Sequence, residues 1–257
     1  MKLAVVTGAS SGMGREFVYA LDREGKYDRI LVIARRADRL TSLASECRTA
    51  IEPLALDLCK PESFDRYRAY LAAAQPDVTM LVNCAGFGKF GTYNEIDTET
   101  AAEMLDLNCK ALVRMTEYTL PYMHAGAHII QLDSLSAFQP VPYICVYGAT
   151  KAFVLSYSRA LNVELQGRGI KCMAVCPGWV KTDFFDRAKT DCADAVTYFN
   201  RLYEARDVVK TAMKDIYKPK KDVSIHGFPV RMQALGVKLL PHRLVMRIWM
   251  KQQKHDK

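Results

Sequence analysis

Long apolar runs are missing from this 257-residue chain. None approaches the ~20 residues that a bilayer-spanning helix needs, which argues against an integral helical membrane protein. The segment Met1–Gly8 carries one lysine and an apolar stretch too short for a signal-peptide core, and Gly8 closes it as a strand would close. A cytoplasmic location is the resulting expectation. Cysteine occurs eight times but never as a CxxC pair, and the five histidines lack zinc-type spacing. That excludes the common zinc frameworks and argues against a disulfide scaffold, so no metal is expected. Most of the cysteines have apolar neighbours, as at Cys84 and Cys176, where a thiol acts as a small hydrophobe. No GxSxG elbow is present, so His124, His128 and Asp133 do not point to a hydrolase. Fixed-period repeats and low-complexity tracts are also lacking. A basic stripe interleaved with aromatics is absent as well, so no nucleic-acid partner is expected.

What remains is ordinary globular composition: half of the residues are apolar and a quarter charged. The length suits one large α/β domain spanning 1–257 better than two small ones. Short apolar runs at 3–6, 30–34, 51–56, 80–82, 128–132 and 172–175 read as strands. Helical periodicity fills the intervals, notably 14–23 and 99–119. Alternation of this kind predicts right-handed βαβ crossovers and a parallel sheet covered on both faces. After Pro177-Gly178 the rhythm changes. Residues 182–222 carry Phe184, Phe185, Tyr198, Phe199 and Tyr203 at helical spacing without a strand signal, which predicts a helical substrate lid.

The net charge of +8 belongs to the carboxy-terminal fifth: residues 206–257 hold 13 Lys/Arg against 4 Asp/Glu. Residues 239–257 read as a basic helix and tail, with Leu244, Val245, Ile248 and Trp249 on one stripe. That stripe suits docking on the protein's own body or a sister subunit, or peripheral contact with an anionic membrane surface.

Three constellations carry chemistry. The first strand runs into Thr7-Gly8-Ala9-Ser10-Ser11-Gly12-Met13-Gly14-Arg15 and then a helix. Its glycines allow a tight turn that brings backbone N–H groups against a pyrophosphate. The second strand ends on Arg35-Arg36, where an acidic residue would favour NAD. Guanidinium forks there suit a phosphate dianion, with Arg15 as a third cation, and predict NADP(H). Tyr147 and Lys151, four apart on a helix, share one face, and the ammonium is expected to lower the phenol pKa.

Ser134 stands 13 residues before Tyr147, just after an apolar strand. With it the sequence resembles the short-chain dehydrogenase/reductase family over roughly residues 1–183. The glycine turn resembles the family's cofactor loop; Asp57-Leu58 is similar to its adenine-side pair, and Asn83-Cys84-Ala85-Gly86 to its Asn-Asn-Ala-Gly turn. Asn108, Ser134, Tyr147 and Lys151 match the catalytic residues, and Pro177-Gly178, with Val180 and Thr182, the nicotinamide-side loop. The resemblance implies a single-domain Rossmann fold, doubly wound, and a metal-free tetrad. Tyr147 would be the acid/base, Lys151 would hold the nicotinamide ribose, Ser134 would bond the substrate oxygen, and Asn108 would anchor a relay water. Ser136 is a rival for Ser134 because both point to one side of an extended chain. Cys84 departs from the second asparagine of the turn, and Thr150 from the common serine. A looser resemblance, through Gly86-Phe87-Gly88 and the basic tail, reaches bacterial members acting on hydroxysteroids and acyl chains. A secondary alcohol/ketone pair on a lipophilic substrate is therefore expected, with a homodimer or homotetramer as the assembly. The other readings are a reductase of acyl-chain or small carbonyl substrates and a cofactor-binding scaffold without catalysis, which would need no complete tetrad. An epimerase or dehydratase would call for a longer substrate domain.

Overall fold

Burial of the apolar strands on both faces organises the molecule, a computed structural model that describes residues 1–188 and 195–253. The first half alternates strand and helix: β1 (Lys2–Thr7), α1 (Gly12–Glu24), β2 (Arg29–Ala34), α2 (Ala37–Glu46), β3 (Ala50–Ala55), α3 (Pro61–Ala74) and β4 (Asp77–Asn83). A long helix follows as α4 (Thr98–Leu105) and α5 (Leu112–Thr119), joined by a π-helical segment Asp106–Ala111. Then come β5 (His128–Leu132), α6 (Cys145–Glu164), β6 (Lys171–Val175), β7 (Trp179–Lys181), α7 (Phe184–Ala188), β8 (Leu202–Glu204), α8 (Ala205–Ile216), β9 (Val223–Ser224), α9 (Phe228–Leu239) and α10 (His242–Gln252).

Seven strands pair in parallel in the order β3-β2-β1-β4-β5-β6-β9. Ala4, Val6, Ile30 and Val32 face one layer, where Phe17, Val18 and Leu21 of α1 meet Val209, Ala212 and Ile216 of α8. Leu3, Val5, Leu31 and Ile33 face the other, against Phe64, Tyr67 and Leu71 of α3 and Met115 of α5. All eight of these strand side chains are fully buried, the arrangement that makes parallel strands read as unbroken apolar runs. Order reverses between β1 and β4, which opens a crevice beyond the carboxyl ends of the strands. The fold is the doubly wound one expected.

Two expectations need correction. The lid is shorter than 182–222: α8 is a layer helix packed on α1, and Tyr203 of β8 is buried in that same core. Its apolar face follows helical spacing whether it covers a substrate or a sheet, so periodicity alone could not separate the two. Strands β7, β8 and β9 were not anticipated because two or three residues are too few to show a period. Residues 189–194 of the lid and 254–257 of the tail lie outside the described residues. The described part of the tail docks on the body: Val245 and Trp249 are buried, and Trp249 Nε1 donates to the Pro142 carbonyl at 3.0 Å. No helix among the described residues is long and apolar enough to cross a membrane.

Candidate active site

One cleft of about 440 Å³ runs across the carboxyl ends of β1, β2, β4, β5 and β6. Its floor is the turn between β1 and α1. Gly8 and Gly12 have φ of +67° and +53°, in the left-handed region that glycine enters at low cost. A Cβ on Gly14 would lie 2.2 Å from the Gly8 carbonyl oxygen, so the first turn of α1 sits directly on the loop. Ser11 caps α1 without a side-chain bond and the first turn holds no acid, leaving its N–H groups to an anionic ligand. Thr7 Oγ1 accepts the N–H groups of Cys84 and Ala85 at 3.0 and 3.1 Å and ties this turn to β4. The cradle fits a dinucleotide pyrophosphate.

At the β2 end, Arg36 Nη2 donates to Ser10 Oγ at 3.0 Å and to Ser11 Oγ at 2.8 Å. Arg35 lines the cleft beside it and has no carboxylate partner among the described residues. Arg36 also lies 3.9 Å from Asp183, an exposed contact of little energetic weight. Arg15 does not join them. Its guanidinium grips both Glu46 oxygens, at 2.6 and 2.8 Å, and donates to Tyr19 Oη, outside the cleft. Only the fold brings Glu46, 31 residues away, to that position.

Ser10, Ser11, Gly12, Met13, Gly14, Asp57, Leu58, Ala85, Gly86, Pro177, Gly178, Val180 and Thr182 all line the cleft. Asn83 does not. Its amide nitrogen donates to Thr116 Oγ1 and Gln131 Oε1, both at 3.0 Å, inside the sheet layer. It fastens β4 to β5 and α5, and its position in the turn motif could not show which way the side chain would point.

Ser134, Tyr147 and Lys151 converge beyond β5. Ser134 and Ser136 both line the cleft with Tyr147; Ser134 Oγ accepts the Ser136 N–H at 3.2 Å, and of the two it is Ser134 that favours the ionised phenol. Burial pushes that phenol above its ordinary value and the neighbouring Ser134 hydroxyl opposes the push. The expected lowering by Lys151 is not found: its ammonium lies 5.6 Å from the Tyr147 ring centroid and donates to the Leu132 carbonyl at 2.8 Å. Burial holds the Lys151 ammonium below its own usual range. Asn108 sits in the π-helical segment, behind the cleft wall. Its amide donates to the Phe87 carbonyl at 2.8 Å and to Thr150 Oγ1 at 3.0 Å, while its oxygen accepts Phe87 N–H at 3.0 Å. Thr150 Oγ1 in turn donates to the Tyr147 carbonyl, so the hydroxyl at this position is used.

Two features escaped sequence reasoning. Gly88 leaves room for Tyr147, since a Cβ there would lie 2.8 Å from the phenol ring. Asp133, beside Ser134, is fully buried; one oxygen accepts the Cys176 thiol at 3.4 Å and the other has no partner. Burial pushes its carboxyl up to about 8. Between the unfolded carboxyl range near ~4 and that value, the folded state holds a proton that the unfolded chain has released. Stability should therefore fall as pH rises through this window. Asp133→Asn cannot ionise, so its melting temperature should drop less than the parent's between pH 5 and pH 8.5. Equal slopes in thermal melts would count against this.

The far end of the cleft is aromatic. Phe90, Trp179, Phe184, Phe185 and Phe199 pack edge-on or tilted, with ring centroids 4.9–6.4 Å apart. Trp179, Phe184 and Phe185 line the cleft with Trp249 of α10 and Val141, and Phe90 and Phe199 back them from behind.

A sequence profile described as short chain dehydrogenase matches residues 2–193. The chain belongs to the short chain dehydrogenase family. An uncharacterized oxidoreductase of Myxococcus xanthus is 30% identical over 254 residues, 95% of this chain and 94% of the relative. Another from Staphylococcus epidermidis is 32% identical over 208 residues, 77% and 90% of the two chains. Among solved structures, a short-chain dehydrogenase from Sphingobium yanoikuyae in complex with NADPH superposes with a TM-score of 0.77 at 26% identity. That match covers 100% of this chain and 98% of the other. This short chain dehydrogenase is thus an oxidoreductase using a nicotinamide dinucleotide.

Proposed function

We propose that the enzyme is an NADP(H)-dependent oxidoreductase interconverting a secondary alcohol and a ketone on a bulky lipophilic substrate of the hydroxysteroid class. The observation that carries this reading is that Ser134, Tyr147 and Lys151 line one cleft between a paired-arginine end and an aromatic end. When bound, the dinucleotide supplies or takes up the hydride. Tyr147 would exchange the proton with the substrate oxygen, and Ser134 would donate to the same atom as charge develops on it. Lys151 would hold the nicotinamide ribose. Asn108 positions the Gly86–Phe87 wall and would support the proton relay.

Gly12, Met13 and Gly14 would meet the pyrophosphate, Asp57 and Leu58 the adenine side, and Ala85, Gly86, Pro177, Gly178, Val180 and Thr182 the nicotinamide side. Arg35, Arg36, Ser10 and Ser11 would take the 2′-phosphate; the NADPH held by the Sphingobium relative supports this. The described cysteines are all free, which suits the reducing cytoplasm.

The test is NADPH-linked turnover over a panel of steroids, long-chain ketones and small polar carbonyls. Turnover confined to the bulky apolar members is expected; turnover confined to small polar ones refutes the substrate class. NADPH binding without turnover on any member would instead favour a non-catalytic scaffold. Arg35→Asp should lower kcat/KM with NADPH by about 10–100-fold, the weight of a lost charge-assisted bond. A parent that prefers NADH would overturn the cofactor assignment.

A further inference from the structure

The inner faces of α9 and α10 wall the cleft, through Val230 and Gln233 on the first and Trp249 on the second. Their outer faces have no such employment. On α9, Phe228, Met232, Leu235 and Leu239 follow i, i+4, i+7, i+11 spacing and form one exposed stripe opposite buried Val230, Ala234 and Val237. Phe228 and Leu239 are 73% and 77% exposed. On α10, Leu244 and Ile248, at i and i+4, are exposed beside buried Val245 and Trp249 and widen that helix's apolar stripe outward. On α9, which is apolar on both sides, the body of the protein accounts for one side only.

Charge identifies the other occupant. Between Asp222 and Asp256 the chain has no acidic residue. Arg231, Lys238, Arg243, Arg247 and Lys251 all lie exposed on these two helices. None forms an ion pair with a carboxylate among the described residues. On a helical wheel, Arg247 and Lys251 border the α10 stripe, where long stems can lie along an apolar layer with the charge at its edge; Arg231 and Lys238 border that of α9, the first donating to the Ile225 carbonyl at 2.9 Å and the second over the Phe138 ring. A second copy meeting this face symmetrically would bring the same uncompensated cations together. An anionic lipid surface answers both features, because acyl chains accept apolar side chains of any shape and headgroups neutralise the cations.

We infer that α9 and α10 form an interfacial docking element that holds this enzyme against anionic phospholipid, with the cleft one helix thickness (about 10 Å) away. Lipid binding stands apart from the substrate assignment; only its use for delivering an apolar ketone rests on that reading.

The experiment is co-sedimentation of the full chain with vesicles of pure phosphatidylcholine or of phosphatidylcholine containing phosphatidylglycerol. Binding about tenfold or more tighter to the anionic vesicles is expected, with a strong fall in 0.5 M salt. The double variant Leu235→Ser/Leu239→Ser, outside the cleft lining, should lose most of this binding. Its NADPH affinity and melting curve should match the parent's, showing that it folds. Equal sedimentation of parent and variant, or no preference for anionic vesicles, overturns the inference. So does a variant that lowers the oligomeric state in sedimentation velocity when the parent binds no vesicles, which would make a second copy the occupant.

Discussion

Tyr147→Phe should lose about 10²–10⁴-fold in kcat, the range for removing a positioned acid/base, while binding NADPH as the parent does. Phenylalanine keeps the ring that packs 5.4 Å from Phe184 and fills the space left by Gly88, so the wall of the cleft is retained. Only the hydroxyl, in the cleft beside Ser134, is removed. The loss should appear in kcat more than in KM, because the proton is needed as the oxygen changes charge and not when substrate docks. Ser134→Ala should fall less far, by about 10²–10³-fold, as expected for one donor to a developing oxyanion. Steady-state kinetics with a fluorescence titration of NADPH separate chemistry from binding. Turnover within a few-fold of the parent in Tyr147→Phe would refute the acid/base assignment.

The second large effect is expected at the cofactor turn. Gly14→Ala would place a methyl 2.2 Å from the Gly8 carbonyl oxygen, against the Gly8–Ala9 backbone. No side chain can rotate out of the way, so α1 must move off β1. Overpacking of this kind costs about 1–3 kcal/mol, and α1 carries the N–H groups offered to the pyrophosphate. NADPH affinity should fall at least about tenfold, since a displacement costing 1.4 kcal/mol of binding is already that large. The melting temperature should fall by several degrees, roughly 2–4 °C per kcal/mol for a chain of this size. Gly236→Ala provides the contrast: Gly236 lies in α9 with a negative φ, and a Cβ there meets nothing within 4 Å. That change should stabilise by about 0.5–1 kcal/mol through helix propensity. Unchanged NADPH affinity in Gly14→Ala would show that the turn does not hold the cofactor by its backbone.

Features legible in the sequence were those whose physics is local. Strands buried on both faces must be apolar throughout, so β1, β2, β4, β5 and β6 stood out as short unbroken runs. The helices between them showed their 3.6-residue period, and the glycines at 8, 12 and 14 announced a turn. Tyr147 and Lys151 were brought together by one helix, and Ser134 by the end of the preceding strand. Their grouping in space is what the spacing implied.

Features that were not legible depend on neighbours distant in the chain. Arg15 stood beside a phosphate-type loop, yet Glu46 turns it away. Asn83 belongs to the turn motif, yet Thr116 and Gln131 draw its side chain into the sheet layer. Helix α8 follows the lid-like aromatics with apolar helical spacing of its own, yet it packs on α1. The lysine's influence on Tyr147 was inferred from proximity, whereas burial and the Leu132 carbonyl decide it. Asp133 was set aside in the sequence as no part of a hydrolase triad, and only its burial beside Ser134 and Cys176 gave it weight.

By itself, then, the sequence determined the parallel α/β architecture, the glycine cradle and the serine–tyrosine–lysine spacing. Each is encoded by periodicity or by residues within one or two elements. Tertiary structure alone decided where charges and polar side chains point, how far the lid extends, and which face of α9 stays uncovered. Those outcomes depend on burial and on long-range partners, and neither is written in any local stretch of the chain.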